Sequence, residues 1–371
     1  MSYKNKLPGK QTAGYELLEL TAISGELPVS QLLRLSGGNS YKAAVVTALK
    51  QQKLLKTYYR DGLRGYRLTK RSKCLLCEDN PVRFNFALTG NVETNKIKSE
   101  ITRRLRLHRI AETTITMKNA GVSIFRDEHA DVFSPIHNNE LHICSPAFFN
   151  SREIKELGTV FTKTRGARSV GVLLTENEIF TVYNLGDSLM KWNYKSEMRT
   201  KALLKTVLCR ERLPHQYSPD SISGIVFANS MQFAYDFLLN KGGKQYFILD
   251  GNYEKFHFLT NDYKGETLLK FLCSPILSST LNSILTNDLK YPQQGLTIEN
   301  DAMDENGNPV LMSYTCNLPR IMRFNSALQL QGKKGIIICF DYQADILKQY
   351  CAKSVEFQTI DFEACKRRFF D

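Results

Sequence analysis

The stretch YYRDGLRGYRLT, residues 58–69, sets two short β-prone pieces around a polar turn and carries three arginines, Arg60, Arg64 and Arg67. Asp61-Gly62 supplies the turn chemistry, because glycine takes positive φ without the Cβ penalty. The segment therefore reads as a hairpin, with LLKTYY (54–59) as one strand, RDGLRG (60–65) as the loop and YRLT (66–69) as the return strand. Three helical patterns precede it. GYELLELTAIS (14–24) spaces Leu17, Leu20 and Ile23 three apart and stops at Gly25. LPVSQLLRLSGG (27–38) puts Pro28 in a first turn, Val29, Leu32 and Leu33 on a buried face, and Gly37-Gly38 at the end. The third opens on Asn39 or Ser40 as a cap and runs through YKAAVVTALKQQK (41–53). Its period points Tyr41, Val45 and Leu49 inward and lines another face with Lys42, Val46, Lys50 and Lys53. After Thr69, read as a cap, KRSKCLL (70–76) starts a further helix.

Three short helices followed by a hairpin is the order of a winged helix-turn-helix, whose third helix enters the major groove while the wing meets the backbone. Charge agrees with that order. Residues 1–110 hold 21 Lys and Arg against 8 Asp and Glu, while the remaining 261 residues hold 29 of each, so the whole formal excess of +13 sits in the first third. A basic module of this kind attracts polyanions over a Debye length. Arg60, Arg64 and Arg67 stand where a wing meets phosphates, with Lys42, Lys50 and Lys53 beside them, and Asn39, Ser40, Ala43 and Thr47 of the third helix face base edges. A second basic element, NKIKSEITRRLRLHRIAETTITMKNAG (95–121), spaces Ile97, Ile101, Leu105 and His108 as an apolar stripe and crowds Arg103, Arg104, Arg106 and Arg109 into one turn. It reads as a connecting helix that either lies along the duplex or forms a solvated linker face. The expected division is a winged domain over 1–80, a basic connecting helix over 81–122 and a mixed α/β domain over 123–371.

The neutral part alternates strands with short helices, an α+β chain overall. RSVGVLLTENEIFTVYNLG (168–186) reads as a hairpin, and ENGNP (305–309) marks another. SGIVFANSMQFAYDFLLNKGGKQYFILDG (223–251) reads as strand, helix, strand, and GIIICFDYQADILKQYCAKSVEFQTIDF (335–362) repeats that plan. Phosphate loops of the GxxxxGK[ST] or GxGxxG type and a GxSxG elbow are all missing. Cys74 and Cys77 have CxxC spacing but no second half-site, and read as part of a buried helix. His129, His137 and His142, with Asp131, Glu140 and Cys144, match no ligand frame, so neither metal nor cofactor is expected. A magnesium-dependent nuclease is the competing class. It rests on Asp250 with Asp262 and Lys264, or on Glu153 and Lys155 with Asp131; the bland reading makes Asp262 a helix cap and Asp250-Gly251 a turn. Trp192, among Lys191, Lys195 and Arg199, suits a base or partner contact or a core anchor.

YRLTKRSKCLL (66–76) and RLRLHRIAE (104–112) give residues 14–112 a resemblance to the replication-relaxation family of Gram-positive plasmids and conjugative elements. Ser72 stands near a place where that family commonly has glycine. The resemblance implies an N-terminal winged helix, a C-terminal domain related to restriction-endonuclease folds, and a DNA-binding accessory protein that positions replication or conjugative-transfer machinery. It carries over no catalytic residue. A transcription regulator whose α/β domain senses a small ligand is a third reading. The expected partners are double-stranded DNA and a second copy of the chain, with a replication or transfer protein docked on the neutral domain. No apolar run approaches the ~20 residues of a membrane span, the N-terminus lacks the apolar core of a signal peptide, and nine scattered cysteines fit reduced thiols. A cytoplasmic location is expected.

Overall fold

The first helix begins at a capping threonine. The Thr12 hydroxyl accepts from the Tyr15 N–H, α1 runs over Ala13–Ser24, and Gly25 at φ 81° ends it. The computed structural model describes residues 6–134, 141–157, 166–239, 249, 253–292 and 298–370. The chain divides into two units, Met1–Ile136 with Ala147–Leu157, and His137–Pro146 with Gly158–Asp371. Among the described residues no single helix is long and apolar enough to cross a bilayer.

In the first unit α1 leads to β1 (Glu26–Pro28), a 3-10 turn (Val29–Arg34), α2 (Asn39–Gln51), β2 (Leu55–Arg60), β3 (Leu63–Leu68), α3 (Lys70–Asp79), α4 (Pro81–Leu88) and α5 (Ile101–Asn119). β3 lies between β1 and β2, antiparallel to both. The second expected helix is only the 3-10 turn. Pro28 belongs to β1, Gln31 and Leu35 are buried, and Leu33 is 65% exposed. The inward side of α2 also differs by one position from the expected stripe: Lys42, Val46 and Leu49 are buried while Tyr41 is 52% exposed.

The hairpin is tighter than the sequence reading made it. Asp61 at φ 52° and Gly62 at φ 77° form a two-residue turn, the pair of left-handed residues that matches strand twist. Arg64 and Gly65 are thus strand residues, and pairing runs Arg60↔Leu63, Tyr58↔Gly65 and Lys56↔Arg67. Side chains alternate along a strand, so Arg67 and Gly65 share a face with Glu26, while Arg64 and Tyr66 take the other. Beyond the hairpin the Thr69 hydroxyl caps α3, and buried Ser72 donates to the Leu54 carbonyl at 2.6 Å.

The expected connecting segment is part of the first unit, since α4 and α5 both pack on α1. The inward stripe of α5 is Arg104, Leu107, His108, Ala111 and Ile115; Ile97 precedes the helix, and Ile101 is 42% exposed. β4 (Ala147–Asn150) pairs with Ser123 and leads into the single turn α6 (Ser151–Ile154).

The second unit is built twice from one plan. Its first half runs β5 (Gly171–Leu174), β6 (Ile179–Asn184), α7 (Tyr194–Thr206), β7 (Ile222–Ala228), α8 (Gln232–Leu238), β8 (Phe256–Thr260), α9 (Tyr263–Cys273) and α10 (Pro275–Thr286). Its second half runs β9 (Ala302–Met303), β10 (Pro309–Met312), α11 (Leu318–Gln331), β11 (Gly335–Phe340), α12 (Asp341–Tyr350), β12 (Val355–Ile360) and α13 (Phe362–Phe370). In each half an antiparallel hairpin is followed by two parallel strands, laid down in chain order. Registers match as well. Val182↔Ile225 and Gly224↔Phe256 in the first half correspond to Val310↔Ile336 and Gly335↔Val355 in the second.

Each half then exits its last strand through Thr-x-Asp-aromatic, TNDY (260–263) and TIDF (359–362), with Asp262 and Asp361 accepting backbone N–H groups of the next helix. Corresponding elements meet. α8 packs on α12, Tyr263 lies 5.8 Å from Phe362, and Phe271 lies 5.2 Å from Phe370, as across a two-fold interface. The expected strand near residues 246–250 falls largely outside the described residues, and the strand that pairs with β7 is FHFLT (256–260).

Candidate nucleic-acid interface

Glu26 is fully buried and gathers three partners that lie 41, 78 and 82 residues away in the sequence. Arg67 Nε donates to Oε2 at 2.7 Å, Arg104 Nη2 to Oε1 at 2.5 Å, and His108 Nε2 lies 2.9 Å from Oε1. Arg104, itself fully buried, also donates to the carbonyls of Arg60 and Leu63 at 2.8 and 3.1 Å, clamping both sides of the hairpin turn to α5. The guanidinium groups of Arg67 and Arg104 lie 3.6 and 4.7 Å from the Tyr58 ring centroid. Burial alone would raise the Glu26 carboxyl; hydrogen bonds from His108, Arg104 and Arg67 hold it instead at about 2. Gly65 makes room for it, because a Cβ there would stand 2.4 Å from Glu26 Oε1.

The folded interior corrects three expected phosphate contacts, two of them in this cluster. Arg67 and Arg104 face the interior because the two-residue turn and the register of α5 put them opposite Glu26. Lys42 is buried too, its Nζ donating to the carbonyls of Leu33 and Leu35 at 2.8 and 3.1 Å. His108 sits on the inward stripe, as expected, within hydrogen-bond distance of Glu26.

The other expected contacts remain at the surface. Asn39, Ser40, Ala43, Thr47 and Lys50 are exposed along α2, and Lys53 follows at its end. Lys50 Nζ is 5.7 Å from the Tyr66 ring, and Arg64 lies two residues from Tyr66 on the same side of β3. Arg60 is more than half exposed beside Asp61. Two aromatics that the charge argument passed over join them, Tyr41 at 52% and Tyr59, paired with Arg64, at 69% exposure. No local signal marked Tyr59, since alternation sets it on the same face as buried Leu55. On α5, Arg103 pairs with Glu100 at 2.8 Å and Arg106 with Glu93 at 3.3 Å, and Arg109 is half-buried. Exposed pairs of this kind hold their partners weakly.

The groups considered for cleavage are engaged as structure. Asp262 Oδ1 accepts from the N–H groups of Lys264 and Gly265 and caps α9, and Lys264 Nζ lies 4.4 Å from the Tyr342 ring. Asp250 lies outside the described residues. Glu153 is buried in a capping box with Asn150, Asp131 pairs with Arg126 at 2.9 Å, and burial followed by the Arg106 charge lowers Lys155 to about 8. His129 packs 4.3 Å from Phe149, and His142 Nδ1 lies 3.4 Å from Cys144 Sγ; His137 and Glu140 lie outside the described residues. Among the described residues no group of three His, Cys, Asp or Glu could hold a metal ion, and both Cys74 and Cys77 are free thiols. Cys74 is exposed, unlike the buried helix expected there. Trp192 is a core anchor, buried 4.7 Å from the Tyr183 ring. Comparison of the chain with protein-family models, curated proteins and solved structures finds no match.

Proposed function

We propose that the first unit is a winged helix-turn-helix that binds duplex DNA, with α2 in the major groove and β2–β3 as the wing against the neighbouring backbone. One observation carries this reading. Once the cations held in the interior are set aside, Lys50, Lys53, Arg60 and Arg64 remain exposed on α2 and the hairpin, beside an uncharged exposed face of Asn39, Ser40, Ala43 and Thr47. The cations neutralise phosphates; the uncharged face meets base edges. Tyr41 and Tyr59 add rings suited to sugar and base contact. The buried clamp of Arg104 on the turn supports a wing held at a fixed angle, and pre-organisation lowers the entropic penalty of binding.

With the sequence resemblance, this favours an accessory protein that marks an origin on a plasmid or conjugative element, binding as a homodimer because one winged helix buries little surface on DNA. The second unit is then the docking platform for replication or transfer machinery. The nuclease reading is weaker, since Asp262 and Glu153 serve as caps. Selection of the full chain on a randomised duplex library tests the proposal. Enrichment of a defined motif that shifts with Asn39 and Thr47 substitutions is expected; an unenriched library after repeated rounds overturns it.

A further inference from the structure

The two halves of the second unit provide an internal control. At the carboxyl ends of β6, β7 and β8 the first half places Asn184, Asn229 and Asn261; the corresponding positions of the second half hold Met312, Phe340 and Ile360. The second half closes this row with apolar contacts, Phe340 lying 5.2 Å from Phe362 and stacked 6.0 Å from Tyr342. Asn184 has a structural partner of its own, its Oδ1 accepting the Gly186 N–H at 2.8 Å, whereas Asn261 replaces an apolar residue of the second half without such a bond.

The asparagines form a hydrogen-bonded row. Asn261 Nδ2 donates to Asn184 Oδ1 at 3.1 Å and to Asn229 Oδ1 at 2.8 Å, and Asn229 Nδ2 donates to Asp187 Oδ1 at 2.8 Å. The middle residue carries an unsatisfied atom: Asn261 Oδ1 is buried and has no hydrogen-bond partner. The Asp187 end is open, with Asp187 and Asn229 exposed. A lone buried acceptor is destabilising, and groups kept against stability mark functional sites.

We infer that this row is a ligand site for an organic cation, a primary ammonium or guanidinium group. Asn261 Oδ1 and the Asp187 carboxylate both accept hydrogen bonds, and the carboxylate supplies the charge. Calcium takes about six to eight oxygen ligands and magnesium near-octahedral geometry, and the row offers a single carboxylate in a region without a metal-holding cluster among the described residues. An organic donor needs only the two acceptors.

Agmatine, which carries both cationic groups, is the probe, titrated into the full chain while Trp192 fluorescence follows thermal unfolding of the second unit. Agmatine is expected to raise the wild-type Tm in a concentration-dependent way. Asp187→Asn should need about tenfold more agmatine for the same rise. Asn261→Ile, which takes the second half's residue at that position, should unfold at or above the wild-type temperature and lose the response. An unmoved wild type, an equal rise in all three proteins, or a rise given by Mg²⁺ and not by agmatine overturns the inference. So does an Asn261→Ile variant that melts several degrees lower, because that amide would then be structural.

Discussion

Glu26→Gln keeps the shape of the buried side chain and one carbonyl acceptor but removes its charge, leaving Arg104 and Arg67 in the interior without a counter-ion. Both Glu26 and Arg104 are fully buried, and removing one member of such a pair destabilises by about 3–5 kcal/mol. Proton linkage gives a similar figure. The carboxyl falls from the ordinary 4.5 to about 2, and 2.5 units correspond to about 3 kcal/mol. Because the folded pKa is depressed, this contribution is present above pH 4.5 and is lost as pH falls towards 2. A chain of two units need not unfold in one step, so hydrogen exchange resolved by segment is the assay. In Glu26→Gln, amides of residues 55–68 and 101–115 that exchange by opening of the whole unit should do so about a hundredfold faster, the equivalent of roughly 3 kcal/mol. The variant should also lose the steep acid limb. Exchange within threefold of wild type would refute the claim that the pair holds the hairpin to α5.

Lys42→Ala leaves the carbonyls of Leu33 and Leu35 without their donor and should lower stability by about 1–3 kcal/mol, while the salt dependence of DNA binding stays as in wild type. Asp262→Ala removes the α9 cap and should lower the stability of the second unit by about 1 kcal/mol; loss of a magnesium-dependent DNA-cleaving activity in this variant would instead revive the nuclease reading. Burial raises the Glu197 carboxyl to about 7. Its contribution is therefore complete below the ordinary 4.5 and is lost as pH rises through 7, so unfolding of the second unit should become about 1 kcal/mol easier between pH 6 and pH 8. Glu197→Gln should flatten that slope in urea titrations followed by Trp192 fluorescence.

Local signals in the sequence were reliable where the physics is local. Gly25 ends α1, Asp61-Gly62 makes the turn, and the hairpins at 168–186 and around ENGNP stand where alternation and turn residues put them. Lys42 was misplaced by one helical position, because its aliphatic stem is as compatible with burial as Tyr41 and its ammonium finds two carbonyls that only the folded 3-10 turn supplies. Arg67 and Arg104 were misread for a different reason. Their partner, Glu26, lies 41 and 78 residues away, and nothing in a run of arginines says which face the fold will bury. The repeated strand-helix-strand plan was visible, but the Asn184, Asn229 and Asn261 row was not. It emerges only when strand registers align the two halves, since the three residues are ordinary turn formers at strand ends.

The most direct test of the proposed function is fluorescence anisotropy of a labelled duplex with the full chain across a salt series, comparing wild type with Lys50→Ala/Arg60→Ala/Arg64→Ala. Each phosphate contact contributes about 0.9 to the slope of log K against log salt. The account predicts tight, strongly salt-dependent binding by wild type and a slope shallower by roughly 3 in the triple variant. Equal slopes in the two proteins, or no binding by either, would contradict it and turn the exposed cations of YYRDGLRGYRLT towards a protein partner.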